Sequence, residues 1–236
     1  MSKNIISYSL WGEKEMYWFG ALRNIELADK YFPGWICRFY IDKNSKKELI
    51  DTIIGDNVEV ILVDSVEATD NSYFNHGMFW RFSASEDPEV NIFLSRDCDS
   101  RLSEREVSAI NEWLESDKDF HIMRDHPHHS APILGGMWGC RNGIMIKLGL
   151  SNLIKDWCSN KRDTYSYGID QDFLREVIYP LVKDKSMEHS EFSLRFGGEI
   201  RPFPYIRKDY EFVGDVFDEN DERHPDYWKL IKNVIG

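Results

Sequence analysis

Short apolar runs separated by stretches of helical period occupy the first hundred residues, and no other feature restricts the chain as strongly. Strands that recur with a helix between them pair in parallel, and a parallel sheet has both faces covered by those helices. The candidate strands are residues 4–9, 36–42, 58–63 and 90–94. Between the first two, Trp18, Leu22, Ile25 and Ala28 fall at helical spacing within 13–30, and Pro33-Gly34 ends that helix. Residues 45–54 read as a second helix with Gly55 past its end, and 78–85 as a third. After the fourth strand, Ser103 and Glu106 stand three apart as a capping box for a helix ending near Ser116, with Val107, Ile110 and Leu114 as its buried stripe. Residues 120–123 follow as a short strand.

The second half is less regular. It holds a loop rich in His, Pro and Gly over 124–139, a helix over 143–158, a polar loop to Gly168 and a helix starting at Asp170. Short strands and loops run from Ser186, and a final helix follows Pro225. The expected fold class is α/β, a mixed, mainly parallel central sheet flanked by helices. No repeat, low-complexity tract or linker divides the chain, so one domain is expected over residues 1–236.

The chain carries 41 acidic and 29 basic side chains, a formal charge of −12, which argues against nucleic acid or an anionic membrane as its main partner. Eight acidic residues between Asp209 and Asp226 face Arg223 alone, so the remainder is mildly acidic and an anionic ligand such as a nucleotide stays open. That segment lacks the glycine and distal glutamate of a calcium-binding EF-hand loop and reads as a solvated tail or edge loop. Cys37, Cys98, Cys140 and Cys158 are far apart and form no CxxC pair, which disfavours a disulfide scaffold or zinc knot. No apolar stretch approaches the roughly 20 residues that cross a bilayer, and Ser7, Ser9 and Glu13 interrupt any signal-peptide core. The expectation is a cytoplasmic protein without a transmembrane segment.

The richest site for chemistry is Arg96-Asp97-Cys98-Asp99-Ser100-Arg101, directly after the fourth strand. Open α/β sheets bind ligands at the carboxyl edge of their strands. In extended backbone, residues two apart point the same way, so Asp97 and Asp99 can face one hard cation, Mn²⁺ or Mg²⁺, with positions left for phosphate oxygens. A solvated acidic turn is the alternative. His121, His126, His128 and His129 suggest zinc, but adjacent His128 and His129 do not easily reach one tetrahedral ion and no Cys lies near. A loop shaping an acceptor pocket fits better, with His126 and His128 as sugar contacts and Trp138, set between glycines, as a stacking platform. Gly135-Gly136 and Gly139 match no phosphate-binding fingerprint and read as tight turns.

Read together, this stretch, Met78-Phe79-Trp80-Arg81-Phe82, Arg101-Leu102-Ser103-Glu104-Arg105-Glu106, Glu112-Trp113-Leu114, His121-Ile122-Met123-Arg124-Asp125-His126-Pro127 and Gly135-Gly136-Met137-Trp138-Gly139 resemble small glycosyltransferase-like proteins of polysaccharide and capsule gene sets. These are similar to GT-A enzymes, nucleotide-sugar transferases with a Rossmann-like sheet and a DxD metal motif. The resemblance implies that Asp99 binds the metal bridging the donor phosphates, with Asp97 on the ribose or on the metal through water. It implies that Tyr8, Ser9 and Leu10 seat the nucleobase, and that Arg81 meets the base or diphosphate, where a guanidinium makes two parallel bonds. A surface arginine is the alternative for Arg81. His189 is implied as a further metal ligand, against an ordinary half-buried histidine. Asp170 or Asp172 is implied as the general base; Asp170 is equally placed to cap its helix. Residues 1–101 would form the nucleotide-binding half and 102–236 the acceptor-side half.

The implied function is a metal-dependent glycosyltransferase that moves a sugar from a nucleoside-diphosphate sugar, a UDP-sugar first, to a glycan acceptor in surface polysaccharide synthesis. The implied location is the cytoplasm or the inner membrane face, with a partner protein or fused domain completing the acceptor site. A catalytically inactive sugar- or nucleotide-binding module is the alternative. A sugar nucleotidyltransferase is a weaker one, because Tyr8-Ser9-Leu10-Trp11-Gly12 stands where such enzymes carry a glycine-rich loop.

Overall fold

The first strand, β1 (Lys3–Leu10), is buried from Ile5 onward because its alternating side chains enter two different cores. Ile5 joins one core with Phe93 and Trp138, while Ile6, Tyr8 and Leu10 join the other with Ile92 and Leu94. The computed structural model describes residues 2–64, 77–161, 167–192 and 196–235. Within them β1 is followed by α1 (Glu15–Tyr31), β2 (Ile36–Asp42), α2 (Lys47–Ile50) and β3 (Val58–Val63). Next come α3 (Gly77–Trp80), which runs into a 3₁₀ turn, β4 (Val90–Ser95), α4 (Glu104–Leu114) and β5 (Phe120–Arg124). The second half adds β6 (Trp138–Arg141), α5 (Ile144–Leu148), α6 (Leu150–Ser159), α7 (Ile169–Phe173), α8 (Tyr179–Val182), β7 (Ser186–Ser190), β8 (Glu199–Arg201) and α9 (Pro225–Ile235).

These strands form one eight-stranded sheet in the order β3-β2-β1-β4-β6-β5-β7-β8. All pairings are parallel except those of β6, which lies antiparallel between β4 and β5. The chain leaves β1 for β2 on one side and reaches β4 on the other, so a crevice opens where β1 and β4 end. Because β6 is antiparallel, Trp138 at its start pairs with Ser95 at the end of β4, which delivers residues 135–137 to the same edge.

Several expectations change. The helix over 45–54 contracts to α2, because Thr52-Ile53-Ile54 is a β-branched run that loses side-chain freedom in a helix and Ile53 turns into the core. Gly149, at φ 69°, closes α5 and splits the helix over 143–158 in two. The polar loop before Gly168 lies largely outside the described residues. Ser103 does cap α4, accepting from the Glu106 amide, but the Glu106 carboxylate does not return to the cap. It lies buried against Arg96, and the buried side of α4 is Arg105, Glu106, Ala109, Ile110 and Trp113, with Val107 and Leu114 at its margin. The acidic segment is not a solvated tail: Asp215 is buried against Arg223, and Asp221 bonds Arg101 and Arg23.

The four cysteines are buried free thiols. No helix among the described residues is long and apolar enough to cross a membrane.

Arg96 donates to Glu106 at 2.5 Å and to the carbonyls of Ser95 and Trp138, joining α4, β4 and β6 with no access to solvent. Removing one partner of a buried pair strands the other charge at a cost of about 3–5 kcal/mol. Glu106→Ala is expected to lower unfolding free energy by about that amount in denaturant titrations, whereas Glu104→Ala, at an exposed position, stays within about 0.5 kcal/mol of wild type.

Candidate functional site

The turn after β4 is pinned from α1. Asn24 donates to the Ser100 carbonyl at 2.8 Å and accepts from the Leu102 amide at 3.0 Å, and Gly20 leaves room for the Cys98 carbonyl, which any Cβ there would strike. From the other side the Phe217 amide donates to the Asp99 carbonyl at 2.9 Å. Held between a helix and the C-terminal segment, Asp97 and Asp99 present their side chains to a cleft of about 410 Å³ at the carboxyl edge of β1 and β4.

Arg81 forms the floor. Its amide donates to Ser9 Oγ at 2.9 Å, and its carbonyl accepts from Ser7 Oγ at 2.7 Å, so β1 fixes its backbone. Its buried guanidinium bonds Asp97 through Nη1 and Asp170 Oδ2 through Nη2 at 2.8 Å. Arg81 is therefore no surface arginine. Gly135 and Gly136 lie against this trio: a Cβ on Gly135 would enter the Asp170 carboxylate, and one on Gly136 would enter the Asp97 carboxylate. Burial raises the Asp170 carboxyl despite Arg81, and burial together with the Asp97 charge pushes Asp99 up to about 7.

The other walls come from Trp11, Lys14 and Tyr17 after β1, Met78 in α3, Tyr167, Gly168 and Gln171 at the start of α7, and Gly214 and Val216 of the C-terminal segment. Of the residues singled out from sequence, the fold brings together Ser9, Leu10, Arg81, Asp97, Asp99 and Asp170. It does not bring in the rest. Tyr8 points to the opposite face of β1, where its ring stacks on Phe39 with centroids 4.9 Å apart, because adjacent strand residues alternate. Trp138 is fully buried and stacks on Phe120 in the core. His189 sits inside β7, where its Nδ1 meets His121 at 2.8 Å and its Nε2 lies 3.3 Å from Glu112, away from Asp99. Asp172 turns outward to Arg175. His126 is buried with Nε2 on the Tyr227 carbonyl, and His128 is exposed; the histidine on the cleft wall is His129. Asp170 does not cap α7, whose N-cap is Gly168 in left-handed backbone.

Sequence reasoning gave no place in the site to Trp11, Lys14, Tyr17, Met78, Tyr167 and Gln171, and weighed His129 only as a zinc ligand. Trp11, Lys14 and Tyr17 follow directly from the end of β1 and could have been found by the edge rule that exposed Asp97. Tyr167 and Gln171 flank Asp170, whereas only the tertiary path of the loop after β5 selects His129.

No protein-family model matches the chain, and no curated protein matches it in sequence. Solved structures do match in shape. A glycosyltransferase involved in glycosylation of the major capsid of PBCV-1 superposes with a TM-score of 0.50 and 14% identity, over 82% of this chain and 84% of that one. The glycosyltransferase GlyE of Streptococcus pneumoniae TIGR4 superposes with a TM-score of 0.53 and 11% identity, over 80% of this chain but 45% of GlyE. The fold is that of GT-A glycosyltransferases. Open α/β sheets bind ligands in the crevice at the carboxyl ends of their strands where the strand order diverges, and the cleft of Asp97, Asp99, Arg81 and Asp170 lies at that edge.

Gly136 tests the packing of that site. Gly136→Ala is expected to lower the melting temperature, by the equivalent of about 1–3 kcal/mol of overpacking. In an Asp97→Ala background the loss shrinks without vanishing, because the Asp97 amide also lies close to the added methyl.

Proposed function

We propose that this chain is a glycosyltransferase that takes its sugar from a nucleoside-diphosphate sugar, a UDP-sugar first, and passes it to a glycan acceptor of a surface polysaccharide. The observation that carries the reading is the convergence of Asp97, Asp99, Arg81 and Asp170 in one cleft at the carboxyl edge of β1 and β4. Trp11 and Tyr17 beside the end of β1 offer flat faces for a base, and Lys14 adds a positive charge at the same end.

The donor set suits a divalent cation. Asp97 and Asp99 supply hard carboxylate oxygens, and no cluster of three candidate protein ligands occurs among the described residues, so phosphate oxygens and water would complete the shell. Bound there, Mn²⁺ or Mg²⁺ supplies compensation for the charge that develops on the departing diphosphate. Arg81 orients Asp97 and Asp170 and keeps both carboxylates at the floor. Asp170, whose carboxylate is made a stronger base by burial while Arg81 holds it in place, is the residue placed to take the acceptor hydroxyl proton; Asp172 is not, since it faces solvent and Arg175. The acceptor approaches from the side of residues 102–236, where a partner or further domain would complete its site.

Thermal shift with UDP, GDP and CDP, each with Mn²⁺ or with chelator, checks the donor class. Selective binding raises the melting temperature by mass action, by about 2.7 kcal/mol at a hundredfold excess over Kd. The expected result is a Mn²⁺-dependent rise with one nucleotide, lost in Asp99→Asn while its ligand-free melting temperature stays at or above that of wild type; a rise that survives chelator removes the metal assignment.

Transfer rates separate the two aspartates. Asp170→Asn is expected to lower turnover by roughly 10²–10⁴, and Asp172→Ala to stay within about threefold of wild type. Equal losses in both would remove Asp170 from its assigned role.

A further inference from the structure

The loop after β5 places one histidine on the cleft wall in a defined chemical state. His129 Nδ1 accepts a hydrogen bond from the Asp125 amide at 3.0 Å, which requires a lone pair on Nδ1 and leaves the proton of the neutral ring on Nε2. The ring is wedged by Phe212, with centroids 5.8 Å apart, and by His126 at 5.6 Å. Its Cε1 lies beside Gly214, the residue that continues the cleft wall. No described residue hydrogen-bonds Nε2. Asp125, which fixes Nδ1, is itself immobilised: its carboxylate accepts from Arg105 at 2.7 and 2.8 Å, from Arg207 at 2.6 Å and from the Val213 amide at 2.8 Å.

The position relative to Asp99 follows from chain length. Gly214 borders His129, the Phe217 amide holds the Asp99 carbonyl, and three residues span at most about 10 Å. His129 and the Asp97–Asp99 turn line one cleft, joined by this short run of the C-terminal segment. We propose that His129 contacts the ligand of this cleft, its Nε2–H donating a hydrogen bond to an oxygen of the bound sugar nucleotide, on the diphosphate or on the transferred sugar. This rests on the functional reading above and adds a residue to it. Burial and the adjacent His126 push the imidazole down to about 3, so it acts as a fixed neutral donor and not as a titrating charge. Gly214, at φ 83°, suits this wall: a side chain there would meet both His129 and Met137.

Calorimetric titration with Mn²⁺ tests it, using whichever of UDP, GDP and CDP binds the wild-type chain, together with its glucose ester. His129→Asn keeps an oxygen acceptor for the Asp125 amide and removes the outward N–H; His129→Gln keeps an outward N–H. The expected result is a roughly tenfold weaker affinity for the Asn variant, as for loss of one hydrogen bond, and less than threefold for Gln. Weakening with both ligands places the contact on the diphosphate, and weakening with the glucose ester alone places it on the sugar. Unchanged affinity of the Asn variant for both ligands overturns the inference while the functional reading stands. Failure of the wild type to bind any nucleotide overturns both. Long-range ¹⁵N spectra of the wild-type chain give a variant-free check: the proton belongs on Nε2, and a proton on Nδ1 overturns the assignment.

Discussion

Arg81 is removed from water between Asp97 and Asp170, and a buried guanidinium persists in a fold only where carboxylates meet it. That requirement draws three remote parts of the chain to one point. Ser7 and Ser9 of β1 hold the Arg81 backbone, the turn after β4 supplies Asp97, and the first turn of α7 supplies Asp170. Gly135 and Gly136 matter for the same reason, since a side chain at either would occupy the space that these carboxylates use. These charged groups of the cleft are thus held by bonds to one another and to β1.

A second buried network governs the opposite wall. Asp125, at the end of β5, gathers Arg105, Arg207 and the Val213 amide, and its own amide orients His129. The C-terminal segment is thereby fastened across the edge of the sheet, further secured by Arg223 on Asp215 and by Asp221 on Arg101. Several of the acidic residues are built into these contacts, each answered by arginine. Acidic residues that look like a repelling surface in composition serve here as partners for buried or half-buried arginines.

Both networks deliver polar groups to a crevice whose position is topological. β1 and β4 diverge in their connections, β6 runs antiparallel beside them, and the loops that follow β1 and β4 meet the loop that precedes β6. The match in fold to glycosyltransferases of low identity fits this picture. Topology places the crevice, and side chains supply whatever chemistry occurs within it.

The sequence by itself determined the parallel first half of the sheet, the capped start of α4 at Ser103 and the placement of Asp97 and Asp99 at a strand end. These depend on periods of two and 3.6 and on short-range hydrogen bonds, which neighbouring residues specify. Arg81 and Asp170 were legible as motif residues, but their partnership was not. Tertiary structure alone decided that His129 and not His126 faces the cleft, that Trp138 is core, that His189 pairs with His121, and that Glu106 answers Arg96 instead of its own helix cap. Each of those outcomes is set by pairing between segments far apart in the chain, where a polar or aromatic side chain is recruited by whatever long-range packing leaves it to satisfy. Local pattern records which residues can do chemistry; the crossing of β4, β6 and β5 decides which of them meet.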